Sequence, residues 1–243
     1  MTDWIPWKIA RKELKVTSRK RSIIFYIIFL PFLITFGFLL YLQSQIESGS
    51  LPSNISLGFE SIIYFYVVLA SVTPSSLAAY SIVGEKIEKS LEPLLATPTT
   101  DGEILLGKSI AAFLPPVLAI WAAGSIFMGL SDYLTGSLLS YYYFPNWTSL
   151  INLFLLAPIA AILSIELSVI VSSKVTDVRG ANQIGSLMFI PFMFVFLMAV
   201  EGIIAFDIKN LLIISAFVVV LDFGLYFVSK STFNREEILT KWK

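Results

Sequence analysis

Residues 102–109 read GEILLGKS. Letter for letter this satisfies G-x-x-x-x-G-K-[ST], the loop that cradles the phosphates of a nucleoside triphosphate. A phosphate loop needs a strand before it, so that the chain turns sharply and aims backbone N–H groups at the phosphates. What precedes Gly102 is LLATPTTD (94–101), with a Thr-Pro break and no strand pattern. Thr100 and Glu103 instead form the S/T-x-x-E box that caps a helix start. Asp101 suits the positive end of the helix dipole. The intervening Glu-Ile-Leu-Leu is bulky and fit for packing, not for a bare backbone cradle. The stretch therefore predicts a helix running into an apolar span, with Lys108 snorkelling to nearby headgroups.

Composition agrees. Of 243 residues, 56% are apolar and 14% charged, against about 25% charged in soluble domains. Lipid is the expected solvent. Cysteine and histidine are absent, which excludes disulfides, thiolate nucleophiles, histidine bases and HExxH metal sites. The first apolar run follows a long basic stretch and exceeds the length of a signal-peptide core, so no cleavable leader is expected.

A hydrocarbon core of about 30 Å needs roughly 20 apolar residues as helix. Six stretches qualify: 23–42, 61–83, 109–130, 150–171, 184–200 and 211–229, the fifth being the shortest. The first five contain proline (Pro31, Pro74, Pro115–Pro116, Pro158 and Pro191), which spanning helices tolerate. The expected fold is all-α, with six transmembrane helices in one domain over 1–243. AFVVVLD (216–222), which imitates a magnesium-binding strand, falls inside the sixth span.

Sixteen Lys and Arg residues fall in the N-terminal segment, the second-to-third and fourth-to-fifth connections, and the tail. The opposite connections hold only Lys209. By the positive-inside rule both termini are cytoplasmic, in a multi-pass protein of the cell membrane. The sequons at Asn54 and Asn146 fall on the predicted outer side, as does the aromatic group Tyr141, Tyr142, Tyr143 and Trp147.

Within 3–20, Lys8, Arg11, Lys12, Lys15 and Arg19 recur on one helical face, with Trp4, Trp7, Ala10 and Leu14 on another. A cationic face with tryptophans predicts a helix lying in the membrane interface. The longest inner connection, GEKIEKSLEPLLATPTTDGEILLGK (84–108), spaces Ile87, Leu91 and Leu95 at i, i+4, i+8. Pro93 and Pro98 break it into pieces. A mere connector needs only a handful of residues, so this one reads as a docking element.

Here a resemblance enters. Glu85, Leu91-Glu92, Leu94-Leu95, Thr97-Pro98, Glu103 and Gly107-Lys108 resemble, in order, the signature region of permease subunits of type-2 ABC exporters. Lys89-Ser90 stands where that family commonly shows Gly-Thr. WKIARKELK (7–15), SSKVTDVRGANQ (172–183) and FNREEILTKWK (233–243) resemble the family's connecting helix, second inner loop and tail. The resemblance implies a subunit with no catalytic, cofactor-binding or metal site of its own. ATP and Mg²⁺ would sit on a separate ABC ATPase subunit. Two permease chains with two ATPases would enclose the path, and 84–100 would be the coupling helix seated in the ATPase. Lipid, not nucleic acid, is the remaining partner.

Glu166 and Asp222 are intramembrane acids, about five and seven residues from the inner ends of their spans. Ionisable groups at such depth are candidates for function. The rival reading is an autonomous ion-coupled carrier built on these two acids. The two halves show no repeat of the kind many such carriers carry. A noncatalytic membrane scaffold is a third reading, with no feature of its own.

Overall fold

A computed structural model describes residues 4–49, 55–84, 99–175 and 177–232, and among them there is no strand. Among the described residues, ten α-helices and two π-helical segments follow one another. They are α1 (Ile5–Ser18), α2 (Arg21–Glu47), α3 (Ile55–Ala70), α4 (Thr73–Ala79) with the π-turn Tyr80–Gly84, α5 (Asp101–Leu139), α6 (Trp147–Leu150) with the π-segment Ile151–Leu156, α7 (Ala157–Lys174), α8 (Val178–Ser186), α9 (Phe189–Val200) and α10 (Ile208–Thr232).

All six expected spans are present, as Ser22–Glu47, Ile55–Gly84, Asp101–Gly136, Trp147–Ser173, Val178–Val200 and Ile208–Ser229. Each is longer than its apolar run, because the helix continues through polar residues at its ends. The third shows this most. At 1.5 Å per residue its 39-residue helix is ~58 Å long, well beyond the hydrocarbon core. Its far end carries Ser131, Asp132 and Thr135, all buried. Ser131 and Thr135 donate to the carbonyls of Phe127 and Ser131 at 2.6 and 2.8 Å.

Proline sets the breaks. Pro74 and Pro158 each stand at the start of a helical piece, after the turn at Ser71–Val72 and after the π-segment. Pro158 cannot donate to the carbonyl four residues back. In that widened turn the Leu153 carbonyl accepts the indole N–H of Trp121 at 2.9 Å. Pro31 lies inside α2, where Thr35 donates to the Pro31 carbonyl at 2.8 Å and pairs with the Tyr66 hydroxyl at 2.7 Å. The fifth span is two helices, α8 and α9, meeting at Leu187–Met188.

The bundle has α3–α4, α5 and α7 at its centre. Around them α2 packs on α5, α9 on α3, α10 on α7, and α8 on both α4 and α7. The larger core includes Phe59, Tyr66, Ile120, Phe127, Leu153 and Leu156. A second core, at the lysine- and arginine-rich end, joins Ile9, Ile27, Leu77, Ile82, Ile104 and Ile165. The helices α2, α9 and α10 leave large apolar side chains exposed, among them Phe25, Leu40, Phe194, Phe217 and Phe223. In a membrane such faces meet lipid or another helix.

At the opposite end, Asp132 closes the turn after α5. Its carboxylate accepts the N–H of Tyr143 at 3.0 Å and that of Phe144 at 3.0 and 3.3 Å. Each buried N–H left unpaired costs about 1–3 kcal/mol. Asp132→Ala should therefore loosen the 140–146 turn while the spans stay formed. Faster proteolysis or deuterium exchange confined to this turn is the expected readout, and unchanged protection would show that the carboxylate does not hold it.

Candidate functional site

The stretch 102–109 lies wholly inside α5. The capping box is formed: Thr100 Oγ1 accepts the Glu103 N–H at 3.3 Å, and Glu103 Oε2 accepts the Thr100 N–H at 2.8 Å. What the two motif residues do is different from the sequence expectation. Lys108 does not snorkel to headgroups. It is 2% exposed, and its ammonium donates to the Ser81 carbonyl at 2.7 Å, to Ser81 Oγ at 3.2 Å and to Glu13 Oε1 at 3.4 Å. Ser81 Oγ in turn donates to Glu13 Oε2 at 3.1 Å. Three elements thus converge on one buried ion pair: α1, the π-turn that ends the second span, and the first turns of α5.

Gly107 makes this approach feasible. A Cβ there would stand 2.7 Å from both the Pro6 carbonyl oxygen and Ile9 Cβ, so no side chain fits where α1 crosses α5. The buried face of α1 is Pro6, Ile9, Ala10 and Glu13. Trp4 and Trp7 are 57% and 45% exposed and face outward, so the apolar side of the predicted interfacial helix is split. Ile9 and Ala10 hold the protein, while the tryptophans are left for the interface. A second tie follows at the α1–α2 junction, where the Lys20 ammonium lies 3.4 Å from the centre of the Tyr80 ring.

Sequence reasoning missed Glu13. The signal was present: in a helix of otherwise basic charge, its one acid falls at i+4 from Ile9 and i+3 from Ala10. A carboxylate on the apolar stripe calls for a buried cation.

The ion pair bridges the segments entering and leaving 85–98. The expected coupling residues Glu85, Leu91, Glu92, Leu94, Leu95, Thr97 and Pro98 lie outside the described residues, as do the sequon at Asn54 and the tail 233–243. On the next connection, Asp177 caps α8 by accepting the Gly180 N–H at 3.0 Å. Asn182 on α8 accepts from Ser75 and Ser76 of α4 at 3.1 and 3.0 Å. Gly185 sits where a Cβ would collide with the Ser168 hydroxyl. Both polar connections are thereby pinned to the central helices.

The intramembrane acids lie on two helices that pack together, α7 and α10. Glu166 is within electrostatic range of Asp222, and one oxygen of each is buried with no hydrogen bond. The serines nearest Glu166 along α7 do not satisfy it: Ser164 Oγ donates to the Ala161 carbonyl, and Ser168 Oγ has no hydrogen-bond partner among the described residues. Glu166 lines a cavity of about 280 Å³ between α5, α7 and α10.

A third acid, Glu60 of α3, was not anticipated. It is 6% exposed and accepts from Tyr143 and from the Asn146 side chain, each at 2.8 Å. Burial beside that carboxylate pushes the Tyr143 phenol up, so it stays a donor. Asn146 also caps α6 through its Oδ1, accepting the Ser149 N–H at 2.7 Å. This sequon's amide is thus engaged on both sides within the fold.

Among curated proteins none matches the chain. The family model described as ABC-2 family transporter protein matches residues 7–211. The match takes in α1, the first five spans and the whole of the polar junction at Glu13, Ser81 and Lys108. With six helices able to cross a membrane and that family model over most of its length, the chain belongs to the ABC-2 transporter family and is a multi-pass membrane transport component of permease type.

Proposed function

We propose that this chain is the membrane-spanning half of an ATP-driven exporter, working as a dimer and driven by a separate ABC ATPase that holds the ATP and Mg²⁺. The observation that carries the reading is the buried Glu13–Lys108–Ser81 junction. A buried ion pair that ties α1, the end of the second span and the start of the third moves those three elements as one body. A push on 84–100 from a partner would then tilt spans two and three together with α1. The stretch 102–109, being continuous helix, supplies no phosphate cradle in this chain, so hydrolysis is assigned to the partner. The exposed apolar faces of α2, α9 and α10 leave room for a second copy beside the lipid. The sixteen-to-one charge distribution supports a cytoplasmic position for the basic end.

A labelling experiment tests both orientation and docking, since the chain has no cysteine. Tyr142, 79% exposed at the end opposite the basic residues, is mutated to cysteine in one variant and Leu91 in a second. In intact cells an impermeant maleimide should label Tyr142→Cys and not Leu91→Cys. In membranes opened to the cytoplasmic face, Leu91→Cys should react, and should be protected once the ATPase is co-expressed. Labelling of Leu91→Cys from outside would overturn the orientation, and unprotected reaction with the ATPase present would overturn the docking role.

A further inference from the structure

The cavity between α5, α7 and α10 is walled mainly by apolar side chains, including Leu105, Phe113, Ile165 and Val169. Its volume of about 280 Å³ is close to the lower end of ligand pockets, about 300 Å³. The charged group in its wall is Glu166. Glu166 Oε2 and, one helix over, Asp222 Oδ1 are buried and accept no hydrogen bond. Tyr226, one turn beyond Asp222, also lines the cavity. No described cation answers these acids. Lys108, whose neighbour Ser109 lines the cavity, turns away to Glu13. A carboxylate held at membrane depth without a partner is costly while charged, and either a proton or a cationic ligand relieves that cost.

We propose that this cavity is a binding site for an amphipathic monovalent cation, an alkyl- or benzylammonium whose nitrogen lies against Glu166 and whose apolar body lies against Phe113 and Ile165. The charge of the site selects the sign of the ligand, and the low polarity of its wall selects an apolar body over a hydrated metal ion. The aromatic rings of Phe113 and Tyr226 add attraction for an ammonium. Leu106 and Ile162 at the cavity are 42% and 39% exposed, so a ligand partitioned in the bilayer can enter sideways. This inference rests on the reading of the chain as the substrate-carrying part of a transporter, and it names the class of substrate.

The test uses the full chain alone in phosphatidylcholine nanodiscs, without ATPase. Its outcome is therefore independent of whether the ATPase assembles. Radiolabelled benzyldimethyldodecylammonium is the probe, and benzyl dodecyl ether is the uncharged analogue used as competitor. Saturable binding is expected, weakened tenfold or more by Glu166→Gln, and abolished by Leu106→Trp, which fills the cavity from a half-exposed position without touching the acids. The ether should compete at least tenfold less well than the unlabelled cation. Unchanged affinity in Glu166→Gln, or equal competition by the ether, would overturn the proposal, the second showing that the cavity takes an acyl chain. Should Glu166→Gln fail to fold, Leu106→Trp and the comparison of cation with ether on the wild-type chain decide the matter.

Discussion

Lys108→Ala is expected to unlock the basic end of the bundle. Removing the ammonium leaves the buried Glu13 carboxylate with only the half-exposed Lys12, 4.0 Å away, as a cation, and breaking one side of a buried pair costs about 3–5 kcal/mol. The Ser81 carbonyl loses its donor at the same time. The local site of the loss is the contact of α1 with α5, so α1 should detach while the spans persist. Deuterium exchange should rise in α1 and at the start of α5. In Glu13→Gln with Lys108→Met the charge is removed from both sides, and replacing both partners of a buried interaction is much less costly than removing one. That double variant should recover most of the lost stability and leave a large coupling energy in the double-mutant cycle. Additive losses would mean that the two side chains do not act as a pair. If the junction transmits motion, Lys108→Ala should also uncouple transport from hydrolysis with the ATPase still bound, and the double variant should restore coupling only in part.

The second large effect concerns Leu91 and Leu95. Burying one leucine contributes about 1.5–3 kcal/mol, and every 1.4 kcal/mol is tenfold in affinity. A charge buried in its place without a partner costs more than the leucine contributed. Leu91→Asp or Leu95→Asp should therefore weaken assembly with the ATPase by at least about tenfold to a hundredfold. Glu92→Lys should leave assembly closer to normal and impair coupling. Folding of the bundle should be unaffected, because the cores at both ends are built by other residues.

The spans were readable in the sequence for a simple reason: a bilayer demands long apolar runs, and six runs of the required length are present. Their ends were not. Ser131, Asp132 and Thr135 read as an exit from the membrane, yet α5 continues through them because each finds a backbone partner in the fold. The capping box at Thr100 was legible because both of its partners lie within four residues. Lys108 was misread because hydropathy gives depth but not facing. Only the crossing of α1 over Gly107 turns that lysine inward, and the crossing depends on residues about a hundred positions apart. Glu166 and Asp222 could be found singly, as acids in apolar runs. The packing of their helices, α7 on α10, and the cavity beside Glu166 depended on long-range contacts that no local pattern encodes.

In the proposed exporter this permease is driven by a separate ATPase docked on 84–100. The most direct measurement is co-purification of the tagged chain with a co-expressed ABC ATPase, weighed by light scattering, for wild type beside Leu91→Asp. Two permeases with two ATPases are expected for the wild type, and for Leu91→Asp a folded permease dimer that has lost the ATPase. Full recovery of the ATPase with Leu91→Asp, together with undiminished ATP-dependent transport, would contradict it.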